Sequence, residues 1–344
     1  MIVPNADSSC RSADLVETVP PFAKWLAYRN PKWLSFLNER HLLGALSSFD
    51  AVYSFPHVSF STLRRVQKRG RPVIVERINC FAGKARQILE PEYRQLGTAP
   101  QQPFHTWDVE PERRQIETAD FHFSPSPEVE ASLLEIGVPA NKIISTSYGW
   151  SPARFPGISA PREPGAHPTV LFVGYLCVRK GVHLLLRAWE RAGIRGRLLL
   201  CGGIEPALAP LVAKARERPG VDYRAHTPET GQIFREADIF AFPSLEEGGP
   251  LVTYEAMAHG LAVIASPMGA GAILRNEVDG LVIAAHETDA WVEALRRLAG
   301  SAEVRERFGA AARVRAAEFT WAKVARRRAD AMLTKLGRTP GAQL

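Results

Sequence analysis

From Thr169 onward the chain repeats one pattern, a short apolar segment followed by a helical one. Thr169–Val173, Arg197–Leu200, Val221–Tyr223, Ile239–Phe242, Leu261–Ile264 and Leu281–Ile283 are short, and most are Val/Ile/Leu-rich without polar alternation. Strands of this type are buried on both faces, which is characteristic of parallel sheets. Between and after them, 181–192, 206–218, 230–237, 251–259, 289–298, 302–318 and 321–336 carry helical patterns. Alternation of this kind predicts an α/β layered fold, with ligands taken at the carboxyl ends of the strands.

The N-terminal half is less regular. Asp50–Phe55 and Pro72–Val75 read as strands around a helix at Thr62–Lys68. Asp120–Ser124, a helix at Pro127–Ile136 and Lys142–Ser145 form a similar unit. Between the halves, 151–168 holds five prolines and two glycines, with no strand or helix period. The 344 residues suffice for two domains. The expectation is two Rossmann-like domains: 1–150, a linker at 151–168, and a second domain at 169–320. A last helix over 321–344 would pack back on the first domain.

Composition narrows the class. With 46% hydrophobic and 23% charged residues, the chain reads as a soluble globular protein. It has no apolar run of membrane-spanning length and no signal peptide pattern. Four scattered cysteines share no metal-ligand spacing and read as free thiols of a reducing cytoplasm. The net charge of +7 favours anionic partners, but no nucleic-acid recognition motif is present.

The strongest local signal is Pro243-Ser-Leu-Glu-Glu-Gly-Gly-Pro-Leu-Val-Thr-Tyr-Glu255, in which seven residues separate Glu247 from Glu255. A strand runs into a Gly248-Gly249-Pro250 turn and then a helix from Leu251, with Pro250 suited to its first turn. The N–H groups and dipole at such a turn suit phosphate, while the flanking carboxylates accept hydrogen bonds from hydroxyls. Together they suit a nucleotide-sugar. A second phosphate candidate follows the Thr169–Val173 strand: Gly174 opens a loop that ends in Arg179-Lys180-Gly181. Taken alone, Arg179 and Lys180 are two solvated cations; beside the Glu247–Glu255 turn they read as diphosphate ligands.

These motifs, in order, carry a resemblance. Gly174 with Lys180-Gly181, Ala237-Asp238, Pro243-Ser244, Glu247-x7-Glu255 with Ala256-Met257-Ala258 and Gly260, and Asp279-Gly280 resemble the C-terminal domain of glycosyltransferase family 4. The N-terminal half resembles it less closely, through Ala119-Asp120, Ser124-Pro125, Gly137-Val-Pro139 and Tyr148-Gly149. The resemblance implies a GT-B fold and a retaining, metal-independent hexosyltransferase-type enzyme. No cofactor is implied, because the nucleotide-sugar is a substrate. Its acceptor would be a glycan, a lipid-linked saccharide or a small polyol, in polysaccharide biosynthesis. By position, Glu255 would hold the ribose and Glu247 the donor sugar. The amides around Gly248, Gly249 and Leu251 would lie near sugar and phosphate, and Lys180 would neutralise the leaving diphosphate. Lys180 and Glu247 are thus the catalytic candidates, with Gly174 and Arg179 completing the donor site.

The chain departs from the family pattern at Tyr175, Pro250, Trp150-Ser151 and Phe81. Residues 1–48 show no opening strand, Gly-rich loop and helix, so a unit of about 30 residues is expected to be missing or remodelled. His57, Arg77 and Asn79 are acceptor-side candidates. The departures support the alternative of a degenerate, non-catalytic nucleotide-sugar-binding protein. A dinucleotide oxidoreductase fails, because Leu274 stands at the third glycine position after Gly269 and Gly271. Finally, Trp25, Leu26, Trp33, Leu34, Phe36 and Leu37 lie among Lys24, Arg29, Lys32 and Arg40. This reads as a helix, begun by Asn30-Pro31, that docks on the core or touches the inner membrane face.

Overall fold

The computed structural model describes residues 2–3, 16–17, 31–56, 58–100, 109–158 and 167–339. Compactness divides the chain elsewhere than composition does. One unit is Met1–Glu76 with Arg113–His122; the other is Arg77–Glu112 with Phe123–Leu344.

In the first unit, β1 (Ile2–Val3) pairs in parallel with β2 (Val16–Glu17). A helix over Pro31–Ala45 begins at Pro31, whose fixed φ suits a first turn. β3 (Val52–Ser54) runs parallel to β4 (Val73–Glu76), with Val52 opposite Val73. The Phe60–Gln67 helix starts where the Ser59 hydroxyl accepts the Thr62 amide at 3.2 Å, and Leu63 and Val66 turn fully inward. They join Leu46, Val52, Val73, Val75 and Ala119 in one small core. The Asp120 carboxylate ties this core's edge together, accepting from the Val73 amide at 2.8 Å and from Gln67 Nε2 at 3.0 Å. β5 (Phe121–Ser124) begins at the end of this unit, and β6 (Ile143–Ser145) lies in the second.

The second unit is built on a six-stranded sheet of β7 (Thr169–Val173), β8 (Arg197–Cys201), β9 (Val221–Arg224), β10 (Ile239–Phe242), β11 (Ala262–Ala265) and β12 (Leu281–Val282). The order is β12-β11-β10-β7-β8-β9, and every pairing is parallel. The chain thus proceeds outward from β7 through β8 to β9, then returns to β7's other side and proceeds outward again from β10. β7, β10 and β11 are buried along their whole length, which accounts for their apolar sequence, interrupted only by Thr169.

Element ends differ from the sequence reading by one or two residues in most places, the usual scatter where helices fray. The 206–218 pattern divides into a short 3₁₀ turn at Pro206–Leu208 and a helix at Ala209–Arg216. Pro250 sits just ahead of the Leu251–Ala258 helix rather than inside its first turn. The Ala82–Gln95 helix is absent from the expectations above. Pro91 lies within it, and Lys84, Arg86, Glu90, Glu92 and Arg94 interrupt its apolar pattern, hiding the buried stripe of Ala85, Leu89 and Tyr93.

One glycine fixes how the two central loops meet. Gly181 has φ +67°, and a Cβ there would lie 2.0 Å from the carbonyl oxygen of Pro243. Gly193, with φ +58°, has nothing within 4 Å of such a Cβ. Gly193→Ala is therefore expected to cost only the left-handed strain of about 1 kcal/mol. Gly181→Ala adds overpacking and should cost about 3 kcal/mol or more. Equal losses in urea unfolding would contradict this account of the loop junction.

Candidate functional site

The reversal of strand order between β7 and β10 defines the site. In an open parallel sheet, successive connections leave in opposite directions at such a point, and the loops after the two strands border a crevice. Here those loops are 174–181 and 243–250. They carry most of the donor-site candidates read from sequence.

The 174–181 loop is held from its own side of the sheet. Gly174 N donates to Cys201 O at 2.9 Å, and Leu176 N to Gly203 O at 2.7 Å. It then tightens into a 3₁₀ turn at Val178–Lys180, closed by Gly181. On the other side, the carbonyl oxygen of Arg179 accepts from the Leu245 amide at 2.8 Å and the Glu246 amide at 3.3 Å. The two loops are thus joined backbone to backbone.

That junction brings four charges together. Lys180 Nζ is ion-paired with Glu247 Oε1 and lies 4.9 Å from the centroid of the Phe242 ring. Arg179 Nη1 reaches Glu246 Oε2 at 3.2 Å and Glu247 Oε1 at 3.3 Å. Burial opposes ionisation of Glu247, but Lys180 and then Arg179 outweigh it and hold the carboxyl below its ordinary value. Burial pushes the neighbouring Glu246 carboxyl up; Arg179 opposes the shift and Glu247 adds to it. Burial also opposes the Arg179 charge, yet Glu247 and Glu246 raise its pKa on balance.

Glu246 had no role in the sequence reading. Its Oε1 accepts the Cys80 amide at 3.1 Å, tying the 243–250 loop to the segment after β4. Gly248 lies against the same segment, where an added Cβ would fall 1.8 Å from Ile78 O and 2.9 Å from Asn79 N. The structure therefore brings Asn79, which is exposed, beside Gly248. Gly249 faces the Tyr148 ring at a distance that leaves no room for a Cβ. Arg77 is 2% exposed and ion-paired with Glu112; burial lowers its pKa to about 10. His57 lies outside the described residues.

Glu255 stands one helical turn beyond Leu251, which is itself exposed. Its Oε1 accepts from Arg154 Nη1 at 2.8 Å, and Arg154 also covers the Phe155 ring at 5.4 Å. Burial pushes the Glu255 carboxyl up, and Arg154 partly offsets the shift. Sequence reasoning missed Arg154, because it sits in the Pro-rich 151–168 stretch, where no periodicity marks it. Among the described residues no helix is long and apolar enough to cross a membrane. Of the expected aromatic-basic segment, Trp25, Leu26, Lys24 and Arg29 lie outside the described residues, and Phe36 is exposed.

Comparison with known proteins fits this geometry. Residues 167–301 match the family described as "Glycosyl transferases group 1". That span contains both loops of the switch point, and over it the chain is similar to the group 1 glycosyltransferases. The D-inositol 3-phosphate glycosyltransferase of Nocardia farcinica is 33% identical over 177 residues, which cover 47% of this chain and 39% of that protein. The protein of the same name from Corynebacterium kroppenstedtii is 30% identical over 228 residues, 61% of this chain and 49% of that one. The chain thus spans less than half the length of these relatives. Among solved structures, sucrose-phosphate synthase from Thermosynechococcus elongatus aligns over 94% of this chain and 83% of its own, with TM-score 0.69 and 20% identity. HepE of Anabaena in complex with UDP aligns over 93% and 86%, with TM-score 0.63 and 15% identity. These likenesses establish the fold: α/β, of the two-Rossmann-domain GT-B type.

The Glu247 pair sets a pH dependence. A carboxyl whose folded pKa is depressed contributes stability above its unfolded value, here 4.5, and loses it as pH falls through the folded pKa. Glu247→Gln should therefore destabilise the protein by about 2 kcal/mol at pH 7. The gap from wild type should shrink as pH drops below 4.5. A gap that stays constant from pH 7 to acid would show that the Glu247 charge carries no stability.

Proposed function

We propose that this chain transfers a sugar from a nucleotide-sugar donor to a glycan, lipid-linked or small polyol acceptor, with retention at the anomeric carbon. The observation that carries the reading is the contact of Lys180 with Glu247 across the β7–β10 switch point, a cation from one loop and a carboxylate from the other. A nucleotide-sugar needs both: positive charge for the diphosphate and carboxylates for hydroxyls. In this reading the diphosphate takes the place of Glu247 on Lys180, and the freed Glu247 accepts hydrogen bonds from the donor sugar. Glu255 accepts from the ribose hydroxyls, with Arg154 released toward the nearby phosphates.

Charge development governs the chemistry. As the bond from the anomeric carbon to the phosphate oxygen breaks, negative charge grows on the diphosphate, and preorganised cations stabilise it where it forms. Lys180 and Arg179 are those cations, and no metal is assigned a role. The acceptor oxygen bonds to the same face of the anomeric carbon, and its proton passes to the departing phosphate oxygen. The relatives' names support a glycosyl transfer, and the UDP in the HepE complex supports a nucleotide donor. Work in a reducing cytoplasm and contact with the inner membrane face belong to the same proposal, resting on the sequence alone.

A thermal-shift panel of UDP-, GDP- and ADP-sugars tests the reading, because a ligand of the native state raises the unfolding temperature. One of the three classes should stabilise the wild type. Glu255→Ala should weaken that binding at least about tenfold. Lys180→Ala should lower turnover by roughly a hundredfold or more. Binding without sugar transfer or donor hydrolysis would make the chain a non-catalytic binding protein. Wild-type kinetics in both variants would overturn the site assignment.

A further inference from the structure

Lys180 and Arg179 are useful to a diphosphate only if the turn that carries them is held in place. That turn, Val178–Lys180, is a single 3₁₀ turn, too short to hold itself. Its Lys180 and Gly181 amides bond within it, to Cys177 O at 3.1 Å and Val178 O at 2.9 Å. The first amide, Val178 N, instead donates to Glu205 Oε2 at 2.9 Å. Glu205 is 1% exposed and lies in the loop after β8, the next strand of the sheet. Its other oxygen, Oε1, accepts from the Tyr93 hydroxyl at 2.7 Å. Tyr93 is 1% exposed and comes from the Ala82–Gln95 helix, far away in sequence.

The backbone around Glu205 strengthens the link. Glu205 N donates to Leu176 O at 2.9 Å, so the residue grips the 174–181 loop by main chain as well as side chain. A second buried polar contact anchors the same helix close by. Glu92 accepts from His183 Nε2 at 2.9 Å, and His183 lies in the first turn of the helix that Gly181 opens. Burial and then Glu205 itself push the Tyr93 pKa far up, so the hydroxyl keeps its proton and remains the donor.

We infer that Glu205 is a positioning residue for the diphosphate cations: with Tyr93 behind it, it fixes the Val178–Lys180 turn so that Arg179 and Lys180 face the leaving group. Glu205 acts through Lys180 and touches no substrate. A carboxylate suits this place because it can accept two hydrogen bonds at once, one from an amide and one from a hydroxyl. An alanine would leave both donors buried without a partner. This inference rests on the function proposed above and extends it to a residue outside the donor contacts.

The test is a double-mutant cycle read by calorimetric titration with UDP, GDP and ADP, using whichever binds the wild type. Glu205→Ala is expected to weaken binding about tenfold. In a Lys180→Ala background the same change should cost clearly less, because only Arg179 of the two cations it positions remains. Glu205→Gln, which can still accept from Val178 N, should retain most of the affinity. Tyr93→Phe supplies a second, milder variant should Glu205→Ala fail to fold, and should show the same dependence on Lys180. Equal losses in both backgrounds would overturn the inference and leave Glu205 a structural residue only. If Lys180→Ala leaves binding unchanged, or no nucleotide binds the wild type, the failure lies instead with the proposed function, and the inference falls with it.

Discussion

The structure depends on the meeting of two loops at the centre of one parallel sheet. β7 and β10 are neighbours whose onward connections leave in opposite directions, so their end loops face each other. The contact is close enough that only glycine fits at 181, beneath Pro243 O. Arg179 O then binds the amides of Leu245 and Glu246. Once the main chains are joined this way, Lys180, Arg179, Glu246 and Glu247 are brought together. Their ion pairs follow from the backbone geometry and are not independent surface contacts.

This explains why so much charge is tolerated in a buried place. A lone carboxylate there would take up a proton; a carboxylate facing two cations stays ionised. Glu247, facing Lys180 and Arg179, is held below its ordinary value, while burial and the neighbouring Glu247 push Glu246 up against the pull of Arg179. The two acids therefore divide the work. Glu246 anchors the loop to Cys80 and Arg179, while Glu247 holds the Lys180 charge, the pair that a diphosphate would open in the proposed function.

Much of this was legible in the sequence, for identifiable reasons. Apolar strands such as Ile239–Phe242 and Ala262–Ala265 are buried on both faces, so their composition alone marks a parallel sheet. Glu247 and Glu255 flank a turn whose Gly-Gly-Pro spelling is hard to mistake. The residues that were missed act at long range. Tyr93 and Glu205 meet across 112 positions of sequence, and Glu246 meets Cys80 across 166. No local period reports such pairs. Arg154 was hidden by the prolines around it, and the Ala82–Gln95 helix by its own Pro91. Arg77 was visible as a cation after a strand end, but its partner Glu112, which buries it, was not.

The central claim is that the β7–β10 switch point binds a nucleoside diphosphate through Lys180, with Glu255 on the ribose. The most direct measurement is a crystal structure of the protein with the nucleoside diphosphate that stabilises it. The account predicts phosphate oxygens within hydrogen-bond distance of Lys180 Nζ, Glu247 displaced from that amine, and the ribose hydroxyls on Glu255. A nucleotide bound elsewhere, with the Lys180–Glu247 pair intact, would contradict it.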